Sequence, residues 1–297
     1  MDQEVARASA GRRLKERIAA NGLAHVMAAH SPLSARLAQE AGFDGLWASG
    51  FELSALLALP DVSLVTMTQH LDMVRAMIER VDLPLVADLD TGFGNALNVI
   101  HAIAQYERAG VAAVVIEDKS FPKVTSLVAD GRQELVRIAE FQGKIDAAIK
   151  TRRDPDLLVI ARTEALIAGL GEAEALKRAA AYQEAGADMI LIHTKQTTPD
   201  EIERFVRAWT GSAPVVIVPT AYPEMNAERI KRLGKIKMVI YGNHAIRPAV
   251  TAMQQAFAQI RRDGGIHNAN ATMVSVDEIF RLQDMAGVKQ NEKKFLR

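Results

Sequence analysis

The stretch Arg108-Ala109-Gly110-Val111-Ala112-Ala113-Val114-Val115-Ile116-Glu117-Asp118 holds one unit of the fold. A helical segment stops at Gly110, a residue that tolerates the left-handed conformation closing a helix. A β-branched apolar run follows over 112–118 and ends on two acids. Such a run, bounded by a turn signal, reads as a strand buried on both faces of a parallel sheet. The same helix-stop signal recurs at Glu40-Ala41-Gly42-Phe43-Asp44 and at Glu184-Ala185-Gly186-Ala187-Asp188.

Outward from this unit, eight runs of the same kind lie at 23–29, 44–49, 84–90, 112–118, 157–163, 189–194, 214–220 and 238–243. Segments with helical periodicity separate them. Eight strands alternating with helices predict an α/β fold, a (β/α)₈ TIM-type barrel. An open doubly wound sheet would carry a Gly-rich phosphate turn after its first strand. Here that position reads Ala28-Ala29-His30-Ser31-Pro32. No linker splits the 297 residues, so a single domain over 1–297 is expected, with an N-terminal helix over 1–22. A C-terminal helical extension is expected from about 272, with an amphipathic helix at 275–285. It either packs on a neighbouring subunit or caps its own barrel.

Composition narrows the function. Hydrophobic residues make up 49% and aromatics 5%, which suits an Ala/Val/Ile/Leu core between sheet and helices. Lys plus Arg balance Asp plus Glu at 36 each, which gives no sign of nucleic-acid or membrane binding. With no cysteine, disulfides, thiolate metal sites and cysteine nucleophiles are excluded. The segment 1–21 is charged rather than apolar, and no run approaches a membrane span, so a cytoplasmic protein is expected.

Barrel enzymes carry their chemistry at the C-terminal ends of the strands. Those ends here read Trp47-Ala48-Ser49-Gly50, Asp88-Leu89-Asp90-Thr91-Gly92, Glu117-Asp118-Lys119, Arg162-Thr163-Glu164, His193-Thr194-Lys195 and Tyr241-Gly242-Asn243-His244. Charge at the tip of an apolar run is costly unless paired. Asp88 and Asp90, two apart on a strand, are expected to share a face, with Glu117 on the next strand. Three converging carboxylates repel one another, and a divalent cation removes the conflict. All-oxygen ligands favour Mg²⁺ or Mn²⁺ over zinc. The alternative is that these acids pair with Arg162 and Lys123. Arg162 suits a phosphoryl or carboxylate group, or else pairs with Glu164. His193 is either an acid/base group, a phosphoryl donor or a structural histidine.

Two loops add candidates. The loop 118–132 is long for its position and reads as a lid, with Lys123, Thr125 and Ser126 placed to close over an anion. The loop 51–66 carries Asp61, which would reach a metal through water. No G-x-S-x-G elbow and no H-E-x-x-H helix is present, so serine-hydrolase and zinc-peptidase chemistry is excluded.

Together Trp47-Ala48-Ser49-Gly50-Phe51, Asp88-Leu89-Asp90-Thr91-Gly92-Phe93-Gly94, Glu117-Asp118-Lys119 and Ala161-Arg162-Thr163-Glu164-Ala165 resemble the isocitrate lyase/phosphoenolpyruvate mutase superfamily. The lyase branch carries a lid cysteine, which this chain lacks. The mutase branch carries a lid Asn, where Lys123-Val124-Thr125-Ser126 has Thr125. The sequence most resembles the hydrolase branch, in 130–137, 218–223 and 241–247. It departs from that branch at Thr163, where Val is usual, and at Lys195, where Arg is expected, both read as lying at the site mouth.

The resemblance implies hydrolysis of phosphonopyruvate to pyruvate and phosphate. The alternatives are isomerisation to phosphoenolpyruvate, or C–C cleavage of a 2-oxo acid such as oxaloacetate. It implies Mg²⁺, with Mn²⁺ or Co²⁺ as substitutes. Asp88 would be the direct ligand, and Asp61, Asp90 and Glu117 would hold the metal's waters. Asp61 is either that or a base. Trp47, Ser49, Gly50, Phe51 and Ser126 would bind substrate, and Arg162 and His193 the phosphoryl oxygens. Lys123 and Thr125 would act from the lid. It also implies a homo-oligomer, a dimer or tetramer with exchanged C-terminal helices, acting on a small phosphonate or 2-oxo acid.

Overall fold

The computed structural model describes residues 8–128, 130–131 and 133–296; residues 1–7 of the expected N-terminal helix and Arg132 of the 130–137 motif lie outside them. Eight strands are present among the described residues: β1 Ala24–Ala29, β2 Gly45–Ala48, β3 Leu85–Asp88, β4 Ala113–Glu117, β5 Leu158–Thr163, β6 Met189–Ile192, β7 Val215–Ile217 and β8 Ile236–Tyr241. All pair in parallel, in sequence order, and β1 pairs with β8 to close the barrel. The (β/α)₈ expectation is therefore met. β2, β3, β4, β6 and β7 stop before their apolar runs do, because the last residues of those runs already belong to the rim loops.

Side-chain alternation sorts the core into two layers. Leu85, Ala87, Val114, Ile116, Val159 and Ala161 belong to the outer layer, packed with helix residues such as Val99, Ile103, Phe141 and Tyr182. Val26, Trp47, Val86, Val115, Ile160, Leu191, Val216 and Ile240 belong to the inner layer that fills the barrel. The helix stops fall as expected: Gly42 and Gly110 have φ of +82° and +86°. An added Cβ would meet nothing within 4 Å at either, so backbone conformation, not space, requires glycine there.

Residue contacts divide the chain into two compact units, up to Ala245 and from Ile246. The second unit holds helices Ile246–Asp263, His267–Asn270, Val276–Leu282 and Met285–Phe295. The helix expected at 275–285 is seen as Val276–Leu282, and past Asp284, whose φ of +57° is left-handed, a further helix Met285–Phe295 follows. Helices Val276–Leu282 and Met285–Phe295 have no buried residue among those described. Phe257, Val276 and Phe295 of this unit are each more than 60% exposed. No helix of the described residues is long and apolar enough to cross a membrane.

Candidate active site

Continuing the inner face of each strand by one step of two residues gives the rim. Val86 leads to Asp88, Val115 to Glu117, Ile160 to Arg162, Leu191 to His193 and Val216 to Val218. These five positions, with Trp47 and Ser49, surround the mouth of the barrel. A cavity there is lined by Trp47, Ser49, Phe51, Asp61, Asp88, Lys123, Thr125, Ser126, Arg162 and His193, together with Val218, Thr220 and Asn243. The alternation that fills the barrel thus also selects the chemical groups at its end.

One side of the cavity is acidic. Asp88 Oδ2 accepts from Gly50 N–H at 3.2 Å and Oδ1 from Asp90 N–H at 3.2 Å. A Cβ at Gly50 would stand 3.1 Å from Asp90 Oδ1, so glycine keeps this carboxylate cradle open. Asp90 reaches the site differently from the sequence expectation. The strand stops at Asp88, and Asp90 lies in a turn with φ of +50°. The turn, not a shared strand face, aims its side chain. Lys144 donates to Thr91 O at 2.8 Å and holds that turn from behind.

Lys123 from the lid lies among these acids, 2.5 Å from Asp90 Oδ1 and 3.0 Å from Asp61 Oδ1. Burial lifts Asp88, and it lifts Asp90 to about 7 against the pull of Lys123. Burial also works against the Lys123 ammonium, but Asp90 and Asp61 outweigh it and hold the pKa well above the ordinary lysine value. Among the described residues no three acids or histidines already ring a common point as a metal cage. The donor set nevertheless fits a hard divalent cation. It offers carboxylate oxygens only, and Glu117 Oε1 is buried with no hydrogen-bond partner in the structure.

The other side is basic and held by its own acids. Arg162 Nε lies 2.5 Å from Glu164 Oε1 and 3.2 Å from Glu117 Oε2, so the expected alternative of an ion pair with Glu164 is present, while Arg162 also lines the cavity. Glu164 is fully buried. Burial would raise its pKa, but Arg162 and Lys119 hold it well below the usual carboxylate range. His193 is buried beside them, and burial, reinforced by Arg162, lowers it to about 4.

A neutral folded His193 predicts an acid-side instability. The folded pKa is depressed below the unfolded value of 6.5, so the unfolded state binds the extra proton between these values. Stability from this group is full above about 6.5 and lost as pH falls toward 4, by roughly 3 kcal/mol. Urea titrations at pH 7 and pH 4.5 should show a smaller loss in His193→Gln than in the parent. Equal losses in the two would refute the assignment.

The lid is closed at its own neck. Lys119 and Leu135 form an isolated antiparallel bridge, flanked by Ser120 N–H to Glu134 O and Val136 N–H to Asp118 O, each at 2.9 Å. Lys123 N–H donates to Ser63 Oγ at 3.2 Å, joining the lid to the loop that carries Asp61. Thr125 faces the cavity, and its carbonyl accepts from Gln133 Nε2 at 3.1 Å. Ser49 caps the helix Gly50–Leu56, and its hydroxyl also reaches Gly242 O at 3.4 Å.

Two departures noted in the sequence lie elsewhere than expected. Thr163 is not at the site mouth: it is fully buried on the outer face and donates to Asp118 Oδ2 at 3.0 Å. Lys195 is exposed and does not line the cavity. The sequence reading missed Lys119 as a partner of Glu164, and Val218, Thr220 and Asn243 as lining residues. It also missed His30, which pairs with buried Glu52 at 2.8 Å. Continuing the alternation along β1 and β7 would have found His30 and Val218.

A family model described as phosphoenolpyruvate phosphomutase matches residues 14–261. The chain belongs to the phosphoenolpyruvate phosphomutase family. Within this family it is 58% identical to a phosphonopyruvate hydrolase of Variovorax sp. (strain Pal2), over 91% of this chain and 93% of that one. It is 43% identical to a phosphoenolpyruvate phosphomutase of Tetrahymena pyriformis, over 95% and 94% of the two chains. A crystal structure of phosphonopyruvate hydrolase in complex with oxalate and Mg²⁺ superposes with a TM-score of 0.92 at 53% identity, covering 98% of this chain and all of that one. Phosphoenolpyruvate phosphomutase family members of two activities therefore share this barrel over nearly its whole length.

Proposed function

We propose that this protein hydrolyses the C–P bond of phosphonopyruvate, giving pyruvate and phosphate, with Mg²⁺ as its cofactor. The near full-length likeness to the Variovorax hydrolase carries the reading. Thr125 on the cavity wall, where the mutase branch has Asn, supports it.

Asp88, with Asp61, Asp90 and Glu117, would hold the cation. Bound there, Mg²⁺ would supply positive charge to stabilise the ketone oxygen, which takes on the enolate charge as the C–P bond breaks. Ser49, Gly50, Trp47 and Phe51 hold the pyruvyl end. Arg162 and His193 meet the phosphoryl oxygens, the first as a fork and the second as a neutral imidazole. Ser126 and Lys123 complete the cavity from the lid.

Water oxygen forms a bond to phosphorus in line with the departing carbon. The C–P electron pair moves to the carbon and gives the enolate of pyruvate. A proton then reaches that carbon to make the methyl group, and the hydrogen remaining from water stays with phosphate or solvent. Thr125 orients the water, since a hydroxyl both donates and accepts.

Phosphorus NMR of the protein with phosphonopyruvate and Mg²⁺ tests the reading. Free phosphate, with pyruvate in equal amount, is the expected result. Phosphoenolpyruvate without free phosphate would mark a mutase, and inert phosphonopyruvate with cleaved oxaloacetate a lyase. Thr125→Ala should lose phosphate release roughly 10²-fold or more, the usual scale of a lost positioning group. Full phosphate release by Thr125→Ala would remove the role given to its hydroxyl.

The same reading makes the protein a cytoplasmic homo-oligomer, a dimer or tetramer. The exposed Phe257, Val276 and Phe295 of the second unit favour a subunit contact there. Light scattering after size exclusion and cell fractionation would test these two points.

A further inference from the structure

We propose that Lys119 is a positioning residue: a buried latch that holds the lid closed and, through Glu164, fixes Arg162 for the phosphoryl group. The site it serves is the one read above as a phosphonopyruvate hydrolase centre.

An ammonium has three N–H donors and no acceptor. Lys119, 2% exposed, reaches three acceptors: Val124 O at 2.8 Å, Ser126 Oγ at 2.7 Å and Glu164 Oε2 at 3.1 Å. Two of these belong to the lid and one to the barrel rim. Lys119 itself stands at the neck, where its backbone bridges Leu135. It is therefore the fixed end of the latch, and Val124 and Ser126 are the moving end.

The hydroxyl of Ser126 is saturated by the same cluster. It accepts from Lys119 and from Arg162 Nη2 at 3.0 Å, and donates to Glu164 Oε2 at 2.6 Å. Glu164 Oε1 takes Arg162 Nε, and Asp118 Oδ1 fixes the Glu164 N–H at 2.8 Å. One edge of the Arg162 guanidinium is thus held by Glu164 and the lid serine, with Glu117 Oε2 also 3.2 Å from Nε. Displacing the lid takes two acceptors from a buried ammonium and one from Arg162 in the same movement. Buried charge left without partners is costly, so the closed lid and the set guanidinium are favoured together.

Hydrogen exchange on the full-length protein with Mg²⁺ and no substrate tests the latch. In Lys119→Met, amides of 120–128 should exchange about tenfold or more faster than in the parent, the scale of one lost charged hydrogen bond. Amides of helices Ala96–Ala109 and Gly171–Glu184 should not change. Ser126→Ala, which leaves the buried charges in place, should give an intermediate acceleration of the lid alone. In phosphonopyruvate turnover, kcat/KM should fall with lid protection, and Lys119→Arg should recover part of both. Unchanged lid exchange in Lys119→Met, or uniform acceleration across the whole chain, would overturn the proposal. Should Lys119→Met not fold, unchanged lid exchange in Ser126→Ala overturns it. A parent protein that releases no phosphate would refute the hydrolase reading alone, because the exchange measurement needs no turnover.

Discussion

Asp88→Ala is expected to lower phosphate release from phosphonopyruvate by about 10³-fold or more, even at saturating Mg²⁺. The proposed cation site contributes several kcal/mol of charge stabilisation, and each 1.4 kcal/mol is a factor of ten in rate. Asp88 also organises its surroundings, since its two oxygens accept the backbone N–H groups of Gly50 and Asp90. The substitution therefore removes a ligand and frees the turn that carries a second one. A thermal-shift measurement separates this from misfolding. Mg²⁺ should raise the Tm of the parent, as any ligand of the folded state does, and should not raise that of Asp88→Ala. The variant without metal should be modestly less stable than the parent: it loses the acceptor of two backbone N–H groups, and relief of the buried carboxylate offsets only part of that. A full Mg²⁺-induced shift in Asp88→Ala would place the cation elsewhere. Chelation should abolish turnover in the parent, and added Mg²⁺, Mn²⁺ or Co²⁺ should restore it.

Arg162→Ala is expected to damage both activity and stability. It leaves Glu164 and Glu117, which are 0% and 1% exposed, short of their guanidinium partner. Removing one member of a buried pair costs about 3–5 kcal/mol. The denaturation midpoint should fall accordingly, and turnover should drop beyond detection. Arg162→Lys should recover much of the stability and little of the activity, because an ammonium cannot present the planar fork. Wild-type turnover in Arg162→Lys would show that charge alone suffices at this position.

Much of this was readable in the sequence, for a physical reason. The two-residue alternation of a strand is set by the backbone, so Asp88, Glu117, Arg162 and His193 are placed by counting from the apolar residues before them. Asp90 could not be placed in this way, because its position depends on a left-handed turn that a non-glycine residue adopts only in a supporting context. The cluster of Lys119, Ser126 and Glu164 joins residues up to 45 positions apart in the chain. Composition marks each as polar but does not say which cation meets which acid. Thr163 shows the same limit: beside Arg162 in sequence, it points to the opposite side of the strand and serves Asp118. The helix expected at 275–285 shows another, since it stops at Leu282, before a left-handed residue at Asp284 that apolar spacing does not reveal.

The bridge between Lys119 and Leu135 bears on how such a protein changes its chemistry over time. An excursion pinned at its own base places few demands on the barrel that bears it. Outside Lys123, Val124, Thr125 and Ser126, its interior is then free to mutate or lengthen while the eight strands keep their register. Water can be admitted or shut out by what is grafted between those two residues, so related enzymes can diverge in reaction outcome without rebuilding the rim.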